Sequence, residues 1–137
     1  MHIYGDIGNS DTKFFLVNKK EKILKKISIP TNQLNYNFLN KKLKLFINKR
    51  HKIEKILFCS VVPKVYQLVK KFLSKKTKIK CYEIKNLKLK SLIKIKVNYK
   101  QVGSDRLTNA ISLINNKDNF IILDFGTATT FDVIIKN

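Results

Sequence analysis

Aspartate and glycine occur together in three short clusters of this sequence. The 137 residues include only four glycines and six aspartates, and the clusters span residues 6–13, 103–106 and 124–132. Carboxylates bind metal ions and accept protons, and glycine lets the backbone turn tightly beside a ligand. Because lysine fills so many other positions of the chain, the clustered aspartates and glycines point to retained chemistry.

The first cluster joins a strand to a tight turn. It comprises Asp6, Ile7, Gly8, Asn9, Ser10, Asp11, Thr12 and Lys13. Its backbone N–H groups, hydroxyls and lysine can hold phosphate oxygens, while Asp6 lies close enough to hold Mg²⁺ directly or through water. An ordinary β-hairpin is the alternative, since Gly-Asn-Ser is common turn chemistry.

The third cluster repeats this layout. An apolar strand leads to Asp124, one residue, Gly126 and a run of hydroxyls ending at Asp132. Two such turns in one chain suggest two halves of a phosphate clamp, a pairing typical of the actin-like ATPase fold. Two unrelated hairpins are the alternative.

The middle cluster, Gly103-Ser104-Asp105-Arg106, stands at the predicted start of a helix. A carboxylate there is favoured by the helix dipole and could accept a proton from a hydroxyl that attacks a phosphoryl group. The neighbouring guanidinium could bind an acidic substrate. A simple Ser/Asp helix cap with a surface arginine is the alternative.

Hydrophobic periodicity predicts the elements that position these clusters. We expect three strands within residues 2–29, a helix capped by Thr31 or Asn32 after Pro30, and a buried strand at 55–62. The pattern then predicts a helix from Pro63, a strand at 78–84, half-exposed strands at 87–97 and a helix opened by Gly103. It also predicts a buried strand at 120–126 with a hairpin partner at 129–135. Three meander strands followed by helix–strand alternation imply a mixed sheet covered by helices.

Composition excludes several classes of protein. The formal net charge is +20, but only two of the 29 basic residues are arginine and the lysines are dispersed, so we expect no specific nucleic-acid partner. Sequence-independent affinity for polyanions stays open. We expect no membrane span and no secretory signal. Cys59 and Cys81 lack metal or disulfide spacing, which suggests free thiols packed inside strands of a cytoplasmic protein.

Four motifs, in order and at these separations, resemble type III pantothenate kinase. They are DIGNSDTK, SVVP at 60–63, GSDRLTNA and ILDFGTATTFDV. The resemblance implies an actin-like ATPase (ribonuclease H-like) α/β fold and transfer of the ATP γ-phosphate to pantothenate, the first step of coenzyme A synthesis. It also implies a homodimer in the cytoplasm that needs Mg²⁺ and a monovalent cation, K⁺ or NH₄⁺.

The same resemblance implies roles for particular residues. Residues Asp6 to Lys13 would form the first ATP phosphate loop, and Thr127 would contact ATP. Gly103, Ser104, Asp105 and Arg106 would bind pantothenate, with Asp105 as the proton acceptor. Asp124 would coordinate the monovalent cation, and Asp132 receives no role.

The chain departs from this family at two points. Lys96 stands where many members have tyrosine, and Asn98-Tyr99 replaces an Asn-Pro pair. Family members also continue for about as many residues again. We therefore expect a first domain at 1–117, with strand and helix order βββαβαβα, and the first hairpin of a truncated second domain at 118–137. A non-catalytic half-domain remnant or interaction module is the alternative function, followed by a basic nucleic-acid-binding protein.

Overall fold

A computed structural model describes residues 1–44, 46–48, 51–115 and 117–135. Its strands are β1 (His2–Ile7), β2 (Asp11–Val17), β3 (Ile23–Pro30), β4 (Lys55–Ser60), β5 (Cys81–Glu83), β6 (Phe120–Phe125) and β7 (Thr129–Ile134). The α-helices are α1 (Tyr36–Leu43), α2 (Pro63–Thr77) and α3 (Ser104–Ser112), and short 3₁₀ turns cover Thr31–Gln33, Ile84–Asn86 and Leu89–Ser91. No described helix has the length and apolar character needed to cross a membrane.

Five strands form a mixed sheet in the order β3-β2-β1-β4-β5. The first three strands pair antiparallel as a meander, whereas β4 and β5 run parallel to β1. Each parallel strand is reached through a helix, as crossover connections require. The predicted α/β architecture with a mixed sheet is therefore confirmed, and it is consistent with an actin-like ATPase domain.

The core lies where strands β1, β2 and β4 meet α1 and α2. Alternate residues of β1 are buried, including Ile3 and Ile7, and they pack with Phe14 and Phe58 from the neighbouring strands. At Gly5 a side chain would overlap the Phe58 ring, so glycine is needed for this close packing. This close packing lies directly beside Asp6, the next residue of β1.

Specific residues mark the start and end of α2 and the start of α1. Helix α2 starts with Pro63 and ends at Lys78, which adopts a left-handed conformation with φ of 63°. Helix α1 starts after Asn35, whose side chain accepts a hydrogen bond from the Phe38 N–H at 2.9 Å. The predicted cap at Thr31 or Asn32 is therefore wrong. Thr31 instead donates its hydroxyl to the Gly8 carbonyl at 2.8 Å, which ties this segment to the first turn.

The predicted strands at 87–97 are also wrong. This segment contains the 3₁₀ turn Leu89–Ser91 and otherwise irregular backbone. Two contacts fold it back on itself. The Tyr99 hydroxyl donates to the Lys85 carbonyl at 2.6 Å, and the Lys85 ammonium donates to the Val102 carbonyl at 2.7 Å. Leu89 is buried in a small cluster with Val102 and Leu107, and Ile93 and Ile95 pack against it, whereas Leu87 and Val97 are exposed.

Strands β6 and β7 form a separate antiparallel hairpin, which confirms their predicted pairing. The prediction of a buried β6 is wrong for one of its faces, because Ile121 and Phe125 are 70% and 76% exposed. Phe131 and Val133 on β7 are likewise 65% and 66% exposed. One face of the hairpin combines polar with apolar residues and meets α3, and the opposite, largely apolar face is uncovered; the first face carries Phe120, Ile122, Asp124, Thr130, Asp132 and Ile134.

Candidate active site

Three side chains form a row across the sheet at the end of β1. Asp6 pairs in register with Lys13 on β2 and with Cys59 on β4. The Lys13 ammonium lies 3.7 Å from Asp6 Oδ2, and the Cys59 thiol donates to Asp6 Oδ1 at 3.4 Å. The side chains of Lys13 and Asp6 are 41% and 40% exposed, so a carboxylate and an ammonium are both accessible at this edge.

Backbone hydrogen bonds and a pair of threonines stabilise the turn after β1 from its inner side. The Gly8 N–H donates to the Asp11 carbonyl at 2.9 Å, and the Thr31 N–H donates to the Ser10 carbonyl at 2.8 Å. Thr12 is fully buried and shares a hydrogen bond with Thr31 at 3.0 Å, so its hydroxyl faces inward. Of the first-cluster residues, Ile7 is also buried, whereas Asn9, Ser10 and Asp11 are exposed. The exposed members form the surface of the turn.

The structure brings the first and third clusters together. Ser10 Oγ lies 2.9 Å from Thr127 Oγ1, although 117 residues separate the two positions. Both residues are exposed, so their hydroxyls border open solvent at the meeting point of the two Asp-x-Gly turns. Two loops from distant parts of the sequence thus form one surface.

Helix α3 holds the middle cluster against the sheet. Ser104 is 1% exposed and donates its hydroxyl to the buried carboxylate of Glu83 at the end of β5. Asp105 Oδ1 accepts a hydrogen bond from the Arg106 N–H at 2.8 Å, so the Asp105 side chain folds back over the helix start beside Gly103. Asp105 and Arg106 remain half-exposed, which leaves both accessible.

The same helix binds the face of the hairpin that carries its two aspartates. Arg106 donates from Nε to Asp132 Oδ1 at 2.7 Å and from a second guanidinium nitrogen to the same oxygen. One turn later, Asn109 donates to Asp124 Oδ2 at 3.0 Å. Asp124 and Asp132 therefore lie on the same side of the hairpin, and each is held by a residue of α3. This contact joins the middle and third clusters.

The Cys59 thiol lies near the carboxylates of two clusters. Burial raises its pKa from about 9 to about 12, and the nearby charges of Asp6 and Asp105 add to this effect. Asp6 comes from the first cluster and Asp105 from the middle one, so all three clusters converge around the ends of β1 and β4. The residue types at 59 and 83 carried no motif signal. The register of β1 and β4 places Cys59 at the site, and the hydrogen bond from Ser104 places Glu83 there.

A mixed α/β sheet with two Asp-x-Gly turns that meet through their hydroxyls is consistent with the actin-like ATPase fold. Residues 2–137 match the sequence model of the type III pantothenate kinase family. The chain belongs to this family.

Individual relatives give the same result. A type III pantothenate kinase of Pelagibacter ubique (strain HTCC1062) is 64% identical over 138 residues, covering 100% of this chain and 55% of the relative. A type III pantothenate kinase of Sulfurihydrogenibium sp. (strain YO3AOP1) is 32% identical, covering 96% of this chain and 54% of the relative. One from Mycoplasma mobile is 32% identical over 99% of this chain and 56% of the relative. The chain spans about half the length of the relatives that it matches.

Proposed function

We propose that this chain provides the phosphate-binding and substrate-binding half of a pantothenate kinase. The reaction is transfer of the ATP γ-phosphate to pantothenate, which gives 4′-phosphopantothenate and ADP in the first step of coenzyme A synthesis. The observation that carries this proposal is the convergence of three separate motifs, through the contacts of Ser10 with Thr127 and of Arg106 with Asp132. Family membership and the accessible carboxylates support it further.

ATP binds along the two turns in this proposal. The exposed backbone and side chains of residues 8–11 and the hydroxyl of Thr127 contact phosphate oxygens, and Lys13 offsets their charge. Ile7 and Thr12 shape the turn from the buried side and do not reach the nucleotide with their side chains. Two turns that meet at 2.9 Å can hold a polyphosphate from both sides.

Pantothenate binds at the start of α3. Asp105 accepts the proton of the attacking hydroxyl, and Arg106 binds the substrate carboxylate. Gly103 and Ser104 contribute backbone, because the Ser104 hydroxyl is already bonded to Glu83. The positive end of the α3 dipole favours a negative charge at this position, which suits a proton acceptor.

The residues present fit the two cations that this reaction implies. Among the described residues no group of three or more His, Cys, Asp or Glu side chains is placed to hold a metal ion. Mg²⁺ needs no such group, because one carboxylate with waters and substrate phosphates suffices, and Asp6 is accessible for this role. Bound Mg²⁺ neutralises phosphate charge. Asp124, a half-buried oxygen donor held by Asn109, would hold K⁺ or NH₄⁺.

We further propose a division into two domains. Residues 1–117 form the first, and residues 118–137 form the opening hairpin of a second domain that relatives complete with sequence this chain does not span. The separate two-stranded sheet with its uncovered apolar face supports this division. We also propose that the complete enzyme is a cytoplasmic homodimer, and the two free cysteines suit a reducing compartment.

ADP release tests the proposed function. The purified 137-residue chain is assayed with ATP, Mg²⁺, K⁺ and pantothenate, beside Asp105→Asn and the matched control Asp118→Asn, an exposed carboxylate outside the three clusters. We expect pantothenate-dependent turnover that falls by roughly 10²- to 10⁴-fold in Asp105→Asn and is unchanged in the control.

If the chain alone shows no turnover, the assay is repeated after adding the remaining part of the Pelagibacter ubique relative as a separate polypeptide. Restored turnover would support a kinase half that needs its second domain. Absence of pantothenate-dependent turnover in both assays would refute the kinase and leave the non-catalytic alternative.

A further inference from the structure

A single ion pair joins the substrate-binding helix to the last strand of the hairpin. Arg106 on α3 donates to Asp132 Oδ1 from Nε at 2.7 Å and from Nη2, and Nη2 also lies 3.3 Å from the Phe131 carbonyl oxygen. Asp132 therefore occupies the Nε side of the planar guanidinium. Within the described residues, Nη1 on the opposite side has no hydrogen-bond partner.

The ion pair is maintained because the Asp132 carboxylate is buried and needs a cation beside it. The Asp132 side chain is 14% exposed, and its Oδ2 atom is buried without a hydrogen-bond partner among the described residues. A buried carboxylate without a cation is strongly destabilising, so Asp132 cannot release Arg106 without another cation to replace it. Arg106, with 34% of its side chain exposed, is accessible from solvent while this bond persists.

We propose that Asp132 is a positioning residue that orients Arg106 toward the carboxylate of an acidic substrate. This inference rests on the proposed function, since only there does Arg106 bind substrate. An arginine side chain is long and flexible, and it binds a carboxylate in a defined geometry only when its plane is fixed. Asp132 fixes that plane from the Nε side and leaves the Nη1 side for the ligand.

The position of Asp132 adds a second consequence. Asp132 belongs to β7 and Arg106 to α3, so the orientation of the guanidinium depends on docking of the hairpin against this helix. Asn109 and Asp124 reinforce the same contact. Substrate binding in the first proposed domain is thereby coupled to the hairpin that opens the second.

The guanidinium can be observed directly by NMR. The sequence contains only two arginines, Arg50 and Arg106, so the Nε–H region of a ¹H–¹⁵N spectrum holds two signals, and Arg50→Lys assigns them. We expect the Arg106 Nε–H of the wild-type chain to exchange slowly with water, because it is hydrogen-bonded to Asp132. Asp132→Asn should accelerate this exchange, whereas the matched control Asp118→Asn should not.

Substrate affinity is measured on the same variants. We expect Asp132→Asn to raise the KM for pantothenate by roughly ten- to a hundredfold, with the KM for ATP changed less than about twofold. An unchanged or lower pantothenate KM, in a variant whose Arg106 signal has lost protection, would overturn the proposal. So would an Arg106 Nε–H that exchanges rapidly in the wild type.

Two further outcomes separate this inference from the proposed function and from misfolding. A wild-type chain with a protected Arg106 signal but no binding or phosphorylation of pantothenate, with or without the second half, refutes the proposed function and, with it, the positioning role. If Asp132→Asn does not fold, Asp132→Glu is measured in its place. Its longer side chain keeps the negative charge but shifts the carboxylate that orients Arg106. A protected Arg106 Nε–H with a raised pantothenate KM would support the positioning role, and an unchanged KM would oppose it.

Discussion

At the scale of single residues, Cys59 shows how the environment sets chemistry. The thiol lies beside Asp6 and within the field of Asp105, and its pKa is raised to about 12, primarily by burial. A neutral thiol is a poor nucleophile and a weak metal ligand. We therefore interpret Cys59 as a neutral hydrogen-bond donor that faces Asp6.

Removing the charge of Asp6 should make Cys59 more reactive. We expect Asp6→Asn to lower the pKa of Cys59 and to speed its alkylation by iodoacetamide at fixed pH, by about tenfold for each pKa unit removed. Peptide mass spectrometry follows both cysteines in one sample. Cys81 is 2% exposed and serves as an internal control, because unfolding would accelerate both sites. Equal Cys59 rates in wild type and variant would contradict the assigned contact.

The raised pKa of Cys59 makes the stability of the folded chain depend on pH. The pKa of Cys59 is raised on folding, so the folded chain retains a proton that the unfolded chain releases above about pH 9. The contribution of this group is therefore complete below about pH 9 and is lost as the pH rises toward 12. We expect a Cys59→Ala chain to lose less stability over this range than the wild type, as measured by urea unfolding.

At the scale of secondary-structure elements, the sequence correctly predicted the strands and the helix whose apolar faces pack into the main core. Strands β1, β2 and β4 and helix α2 follow their apolar patterns, since each buries one face in the same core. Residues 87–97 show the same alternation, but hydrogen bonds from Lys85 and Tyr99 close the segment into a loop. Periodicity alone does not distinguish these outcomes, because the loop also shelters Leu89, Ile93 and Ile95, although it leaves Leu87 and Val97 exposed.

Some features of the candidate site could be predicted from the sequence, and others could not. The aspartates, glycines and hydroxyls of its turns were predicted from residue type and spacing. The contacts that assemble it were not, since the bond between Ser10 and Thr127 spans 117 residues and depends on how the hairpin docks. Glu83 gave no signal at all, because a single glutamate at a strand end is ordinary until its contact with Ser104 is known.

Helix α2 offers a direct test of an element boundary. Lys78 ends it with φ of 63°, a conformation that costs free energy for any residue with a side chain. We expect Lys78→Gly to raise the free energy of unfolding by up to about 1 kcal/mol. The matched control Lys75→Gly, inside the last turn, should lower it by about 1 kcal/mol. Urea denaturation measures both, and a destabilised Lys78→Gly chain would contradict the assigned C-terminus.

At the scale of the whole molecule, the hairpin is covered on one side and uncovered on the other. On its covered side, Asp132 and Asp124 bind Arg106 and Asn109 of α3, and Thr127 in its turn contacts Ser10. Its other side exposes six apolar residues, all between 48% and 76% accessible: Ile121, Leu123, Phe125, Phe131, Val133 and Ile135. A contiguous apolar surface of this kind is unfavourable in water and favours association. In the proposed two-domain enzyme, the second domain would cover it.

The uncovered face predicts how the 137-residue chain behaves in solution. We expect the wild type to self-associate at micromolar concentrations, as measured by sedimentation velocity. The double variant Ile121→Lys/Val133→Glu places opposite charges on a directly paired position of β6 and β7, which keeps the hairpin intact while making the face polar. Its association should weaken by at least about tenfold.

The control Leu92→Lys/Val97→Glu makes the same charge changes at exposed positions elsewhere and should associate like the wild type. A monomeric wild type, or a hairpin variant that associates as strongly as the control, would show that this face does not govern assembly.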